Sequence, residues 1–377
     1  MGYDGPSRGI LGQAKYTDRN KFRIIIGEIK STRHPALVKS FVDKGYEHIS
    51  LNSNKIYDLS LVLKLVILLK KKRIDLLNTH NALACWYGNI AAKIVRIPVI
   101  FTLRNNQREN YKLLLKNKIL YEAARQLDRF AMRIADKTVA VSKRLEQFYI
   151  EHEGIPKEKI ATINNAIDLE PIEKFRNNND RNCIRKKMGI ESDTVVIGIV
   201  GDLVERKGHA CLIEAARMIV KEQNDVAFLI VGDGPLKDDL KSQISECSIS
   251  SYFVFTGHVK NVFQYLMSMD IFVLPSFAEG ISRALMESMA MGVPSVCSAI
   301  DGNLEAVDVG ETGFIFPVND SESLSNSLIS LIGNPDLRKE MGAKALIKAR
   351  GKFDMKILAG AYEELYEALA GNYAHNS

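Results

Sequence analysis

The chain predicts an α/β protein built on two parallel, doubly wound sheets. Strand-like apolar runs alternate with helical patterns along all 377 residues. The runs fall into two sets of six, without repeating each other's sequence. A polar, turn-forming tract, Asn177 to Asn182, lies between the sets. The length suits two domains of ordinary size.

In the first set the strand-like runs are Phe22–Ile29, Tyr46–Leu51, Asp75–His80, Pro98–Arg104, Lys137–Ser142 and Ile160–Ala166. Apolar residues at helical spacing mark Ser60–Lys72, Leu83–Val95 and Lys112–Ile134 between them. The boundary falls within Asp168 to Asp193, with a basic helix over Cys183–Met188 leading into the second set. There the strands are Val195–Leu203, Ala227–Gly232, Tyr252–Thr256, Ile271–Pro275, Pro294–Ala299 and Gly313–Pro317. A last helix, about Met355 to Ala370, gathers Leu358, Tyr362, Leu365, Tyr366 and Leu369 on one face. The domain bounds are therefore 1–175 and 185–352, with 353–377 as a terminal helix.

Composition is globular, 46% hydrophobic and 25% charged, and no run of 18 apolar residues could span a bilayer. Cys85, Cys183, Cys211, Cys247 and Cys297 are scattered and odd in number, which fits a reducing cytoplasm and offers no zinc motif. No metal site is expected. Charge is uneven: residues 1–185 hold 34 Lys+Arg against 19 Asp+Glu, and the remainder 17 against 26. A basic half suits an anionic partner such as a membrane surface, although solvated helix faces would give the same count. Helix 112–133 carries Lys112, Lys116, Lys118, Arg125, Arg129 and Arg133 among Leu113–Leu115, Ile119, Leu120, Phe130 and Met132, the mixture of an interfacial helix. Aromatic–basic interleaving is lacking, so nucleic acid is not an expected partner.

The most informative residues are Glu279 and Glu287. The apolar run Ile271–Pro275 ends at Ser276, a short loop holds Glu279 and Gly280, and a helix carries Glu287 toward Met291. Ligands of open α/β sheets sit beyond the carboxyl ends of strands. Backbone amides near Gly280, Ile281 and Ser282 open the helix and can meet an anion. Two carboxylates framing such a start suit a polyhydroxylated ligand carrying phosphate. A capping glutamate and a solvated helix glutamate would give the same spacing.

This stretch resembles the Glu-x7-Glu signature of retaining glycosyltransferases of family 4. The resemblance runs through Ala290-Met-Gly292, Val293-Pro294, Gly302, Glu305, Gly310-Glu-Thr-Gly313 and Pro317. Upstream it takes in Gly198-Ile-Val-Gly201, Lys207-Gly208, Ile230–Pro235 and Phe255–His258. It implies the GT-B fold, two Rossmann-like doubly wound domains facing a cleft, with the terminal helix 353–377 crossing back to the first domain; a helix that simply closes the second domain is the alternative. The first would be the acceptor side and the second would bind a UDP- or GDP-sugar without metal.

By resemblance, Glu279 holds sugar hydroxyls of the donor, aided by amides at Gly280, Ile281 and Ser282. Glu287 holds the ribose, and Gly257, His258 and Val259 meet the base. Lys207 follows the strand Val195–Leu203 and is the expected diphosphate cation; an exposed loop lysine is the alternative. Gly201 and Arg206 complete the donor set. The family places an arginine after the glycine at 201, where this chain has Asp202.

In the first half, Gly5, Ser7 and Arg8 belong to a tract, Gly5 to Gly9, that resembles the family's first glycine-rich loop. His80, Arg104 and Asn105 are acceptor-side candidates. Arg104 stands where the family often has histidine, and it cannot act as a base. In the family the glycine-rich loop follows a central strand, so a strand of about five or six residues is expected before Gly5. Only four residues precede it.

The resulting expectation is a glycosyltransferase acting with retention on a lipid-linked or otherwise anionic glycan acceptor, as a cytoplasmic enzyme peripheral to the membrane. A nucleotide-sugar 2-epimerase of the same fold, or a sugar-nucleotide-binding protein without catalysis, are the alternatives.

Overall fold

The computed structural model describes residues 5–29, 35–53, 58, 60–104, 106–108, 111, 115 and 117–374. The chain divides into two compact units, 1–165 with 355–377, and 166–354. The helix Leu169–Asn178 thus belongs to the second unit, not to the end of the first. Ile167, Leu169 and Ile172 are buried in the same apolar cluster as Phe272, Met286 and Phe353, which is what draws the segment there.

In the first unit, the strands are β1 (Ile25–Glu28), β2 (Glu47–Ser50), β3 (Leu77–His80), β4 (Val99–Leu103), β5 (Lys137–Ala140) and β6 (Ile160–Thr162). All pairings are parallel, but they make two sheets, β1-β2 and β3-β4-β5-β6. The single sheet that six successive strands would suggest is therefore divided, with the break along the chain between β2 and β3. The fully buried β4 is one of the two inner strands of the four-stranded sheet, with Val99, Ile100, Phe101 and Leu103 inaccessible. The helix Gly5–Tyr16 packs on the last helix, Met355–Ala374. Gln13 donates to the Tyr366 hydroxyl at 2.8 Å, and the Asp18 amide donates to Glu363 at 2.7 Å.

The helix read as 112–133 is Lys118–Ile134, capped by Asn117, whose side chain accepts from the amides of Ile119 and Leu120. Lys112 and Lys116 lie outside the described residues. Arg125 and Arg129 are not surface cations of an interfacial face. Arg125 Nε donates to the buried Glu153 at 2.9 Å, and Arg129 Nε lies 3.9 Å from it. Met132 is also buried. Ile119, Leu120, Leu127 and Phe130 are exposed, Ile119 at 79% and Phe130 at 55%.

In the second unit, β7 (Val195–Val200), β8 (Val226–Val231), β9 (Phe253–Gly257), β10 (Ile271–Leu274), β11 (Ser295–Ser298) and β12 (Gly313–Phe316) form one parallel sheet. Their order is β12-β11-β10-β7-β8-β9. The winding reverses between β7 and β10, and a doubly wound sheet opens its ligand crevice at that reversal. The loops leaving those two strands carry Gly201 to Gly208 and Pro275 to Ser282.

Candidate functional site

The two loops are held together by backbone. The amide of Phe277 donates to the carbonyl of Arg206 at 2.8 Å. Gly208 has φ of +70°, and a Cβ there would lie 2.0 Å from the carbonyl oxygen of Pro275, so only glycine fits. On the β8 side, the Gly201 amide donates to Val231, and that of Leu203 to Asp233. The turn at Gly232 therefore braces the loop at Gly201.

This frame brings Lys207 inward. Lys207 is buried although it sits on a short loop turn, and its ammonium lies 2.6 Å from Glu279 Oε1. The guanidinium of Arg206 reaches the same oxygen at 2.7 Å. Neighbours in sequence ordinarily diverge; the single turn Glu205–Lys207 makes these two converge. Asp202 is exposed and, among the described residues, has no ion-pair partner. Two residues after Lys207, His209 is buried, and among the described residues neither ring nitrogen has a hydrogen-bond partner. Burial, with a smaller contribution from Lys207, pushes its pKa down to about 4, so the ring is neutral at physiological pH. Nothing in the sequence distinguished His209.

Beyond Glu279 the helix is Arg283–Ala290, slightly shorter than its sequence pattern. Ser282 is its N-cap residue but makes no side-chain cap, and the first intrahelical bond runs from the Met286 amide to the Ser282 carbonyl. First-turn amides have no partner inside a helix, so this end can receive an anion. Gly302 packs against Gly280, where a Cβ would come within 2.1 Å of the Gly280 oxygen. Glu287 is buried and accepts from Arg283 Nε at 2.7 Å. That partner was missed, although the Arg-x-x-x-Glu spacing places the two on one helix face.

Gly257 ends β9 and bridges to Gly232; His258 is exposed and its amide is bonded to Asp233. Val259 packs against the apolar cluster that contains Ile281 and Met286. The structure thus brings Arg206 and Lys207 onto Glu279, lays the Lys207 stem against Gly201, and links Gly257, His258 and Val259 to them through the Gly232 turn and the shared core.

The family described as Glycosyl transferases group 1 matches residues 180–347, and the one described as Glycosyltransferase Family 4 matches residues 5–171. This chain belongs to glycosyltransferase family 4. Relatives of this family 4 chain include an Escherichia coli UDP-Gal:alpha-D-GlcNAc-diphosphoundecaprenol alpha-1,3-galactosyltransferase, 29% identical over 74% of this chain and 71% of that one. The Staphylococcus aureus capsular polysaccharide biosynthesis glycosyltransferase CapM is 28% identical over 82% of this chain and 80% of its own. Among solved structures, a glycosyltransferase from Rickettsia africae superposes with a TM-score of 0.80 at 22% identity, covering 97% of this chain and 95% of that one. Anabaena HepE in complex with UDP superposes at 0.83 with 20% identity, over 97% and 96%. The fold is GT-B, with parallel sheets in two Rossmann-like domains.

The acceptor-side candidates of the family 4 chain lie in the first unit. Gly5, Ser7 and Arg8 fall in the first turns of the helix Gly5–Tyr16, and their side chains are outside the described part, as is Asn105. His80 ends β3 and Arg104 follows β4. Arg104 Nη2 lies 3.4 Å from His80 Nδ1, and Nη1 lies 3.5 Å from Asn165 Oδ1. Arg104 Nη1 also comes within 2.9 Å of where a Cβ at Gly9 would stand. Although both side chains keep some exposure, burial and then the neighbouring guanidinium hold the His80 pKa well below its usual value. A neutral His80 accepting from Arg104 would carry its proton on Nε2. Among the described residues, the buried Arg104 Nε has no hydrogen-bond partner.

Proposed function

We propose that this family 4 glycosyltransferase takes a UDP- or GDP-sugar into the second unit and transfers the sugar, with retention, to a lipid-linked or anionic glycan acceptor held by the first. The observation that carries this reading is the convergence of Arg206 and Lys207 on Glu279 beside the uncapped helix start, at the sheet's reversal. Breaking a sugar–phosphate bond develops positive charge at the anomeric carbon and negative charge on the leaving diphosphate. Lys207, Arg206 and the amides at Gly280, Ile281 and Ser282 supply fixed positive charge and donors for the diphosphate. Glu279 accepts from sugar hydroxyls, and Glu287 from the ribose. A carboxylate has about four lone-pair sites, so the Arg283 bond leaves Glu287 able to accept more. Gly257, His258 and Val259 meet the base, and Gly201 lets the diphosphate approach the backbone. In this reading no metal is needed, and chelators leave turnover unchanged.

The acceptor class follows the relatives, one named for a diphosphoundecaprenol-linked acceptor and one for capsular polysaccharide. His80, Arg104 and Asn105 are the acceptor-side residues of this reading, with Gly5, Ser7 and Arg8 in the first turns of the helix whose Gly9 meets Arg104. The test is a panel of UDP-, GDP- and ADP-sugars scored for thermal shift, hydrolysis and C2 inversion, followed by the anomeric configuration of the product by NMR. An inverted product would overturn retention, and C2 inversion of the donor would overturn transfer. Glu287→Ala weakens nucleotide affinity by about tenfold or more, since a buried hydrogen bond to a charged group contributes ~1.5–3 kcal/mol. Wild-type affinity in the folded variant would remove Glu287 from the ribose.

We also propose that the enzyme works at the inner face of the cytoplasmic membrane. No helix among the described residues is long and apolar enough to cross a bilayer. The helix Lys118–Ile134 instead exposes Ile119, Leu120, Leu127 and Phe130, with Lys118 and Arg133 also exposed. Sedimentation should favour anionic over neutral vesicles and weaken with salt. Replacing Ile119, Leu120 and Phe130 by serine with Lys118 and Arg133 by glutamine should abolish it. Arg125 is left intact in that test because it neutralises the buried Glu153. Equal binding to neutral vesicles would contradict the electrostatic part.

A further inference from the structure

The position after Gly201 cannot supply a cation to an anion at this site, because it is Asp202 and its side chain is exposed. The second positive charge comes from elsewhere. The carbonyl of Arg206 is pinned by the Phe277 amide, the Lys207 amide is bonded to Val204, and that of Gly208 to Glu205. This turn aims two adjacent side chains at one oxygen, Oε1 of Glu279, at 2.7 and 2.6 Å. Such a point holds negative charge by two charge-assisted bonds, and a phosphoryl oxygen is an acceptor of the same kind.

Lys207 is buried, so a counter-charge must accompany it when no ligand is present. Glu279 provides one. With both cations on Oε1, the carboxylate has only Oε2 left to accept from sugar hydroxyls. We propose that Arg206 is the second diphosphate cation of this chain, and that Glu279 keeps the place of the diphosphate until the ligand displaces it. The exchange frees Glu279 for the sugar at the moment the diphosphate arrives, so diphosphate capture and sugar capture are coupled. This rests on the donor-site reading above.

Calorimetric titration of the full chain with inorganic pyrophosphate, UDP, GDP, UMP and GMP tests it. The variants are Arg206→Ala, Arg206→Lys and Glu279→Gln. Arg206→Ala should lose about tenfold or more in affinity for the diphosphate, with affinity for the matching monophosphate unchanged. Arg206→Lys should recover part of that loss. Glu279→Gln should bind the diphosphate at least as tightly as wild type, since the competing charge is gone, while sugar transfer falls. Arg206 is largely exposed, so the thermal midpoint of the unliganded Arg206→Ala protein checks that the fold is intact. Unchanged diphosphate affinity in Arg206→Ala would overturn the assignment of the second cation. Loss of diphosphate affinity in Glu279→Gln would overturn the exchange. A wild-type protein that binds none of the diphosphates would overturn the donor-site reading itself, and this inference with it.

Discussion

Lys207→Ala should lower sugar transfer by roughly 10²–10³-fold, the effect of removing one fixed donor from a developing anion in a preorganised site. Lys207 is the buried member of the cation pair, and its stem packs on Gly201, 3.2 Å from where a Cβ would stand. Arg206 alone cannot replace it, because a largely exposed guanidinium acts through solvent that screens its charge. Loss should appear in turnover and in kcat/KM together, since the charge on the leaving diphosphate grows toward the transition state. Lys207→Met separates charge from packing: it keeps most of the apolar stem. Both variants should lose transfer, and the methionine variant should keep the thermal midpoint better. Wild-type turnover in a folded Lys207→Ala protein would remove Lys207 from the diphosphate.

Asp270→Ala should destabilise the second unit by about 3 kcal/mol without touching nucleotide affinity. Asp270 stands just before β10, at the opposite end of that strand from the site. Its carboxylate accepts from Arg181 at 2.6 Å, from the buried Arg185, and from the Val196 amide at 2.8 Å. Removing one partner of a buried ion pair leaves an uncompensated charge and typically costs about 3–5 kcal/mol. The lower figure applies because Arg185 also donates to the carbonyls of Ser268, Ser192 and Thr194, and those bonds persist. For a unit of this size the thermal midpoint should fall by roughly 6–12 °C. Arg185→Met combined with Asp270→Ala should recover much of the loss, since no buried charge is then stranded. A midpoint that does not move in Asp270→Ala would mean that solvent reaches Arg185.

Much of this protein could be read from its residues. All twelve strands among the described residues lie where apolar runs predicted them, because a buried parallel strand needs a short continuous apolar stretch and the flanking turns punctuate it. Glu279 and Glu287 were legible through their loop-and-helix spacing, and the family through the motifs around them. Other matters depended on contacts between residues far apart in the chain. Local patterns cannot tell whether successive strands pair in one sheet, and here β1 and β2 stand apart from β3 to β6. Amphipathic spacing marked Arg125 and Arg129 as surface charges, but Glu153, on another helix, draws both inward. Lys207 was the expected cation, but its spacing also allowed an exposed loop lysine; the close packing of Gly208 on Pro275 and the bond from Phe277 to Arg206 are what bury it against Glu279. The sequence by itself determined the element order, the family and the identity of the charged groups, since these follow from local pattern and side-chain chemistry. The tertiary structure decided which charges meet, because convergence on one oxygen is a property of loops from β7 and β10 that only the reversal of the sheet brings together.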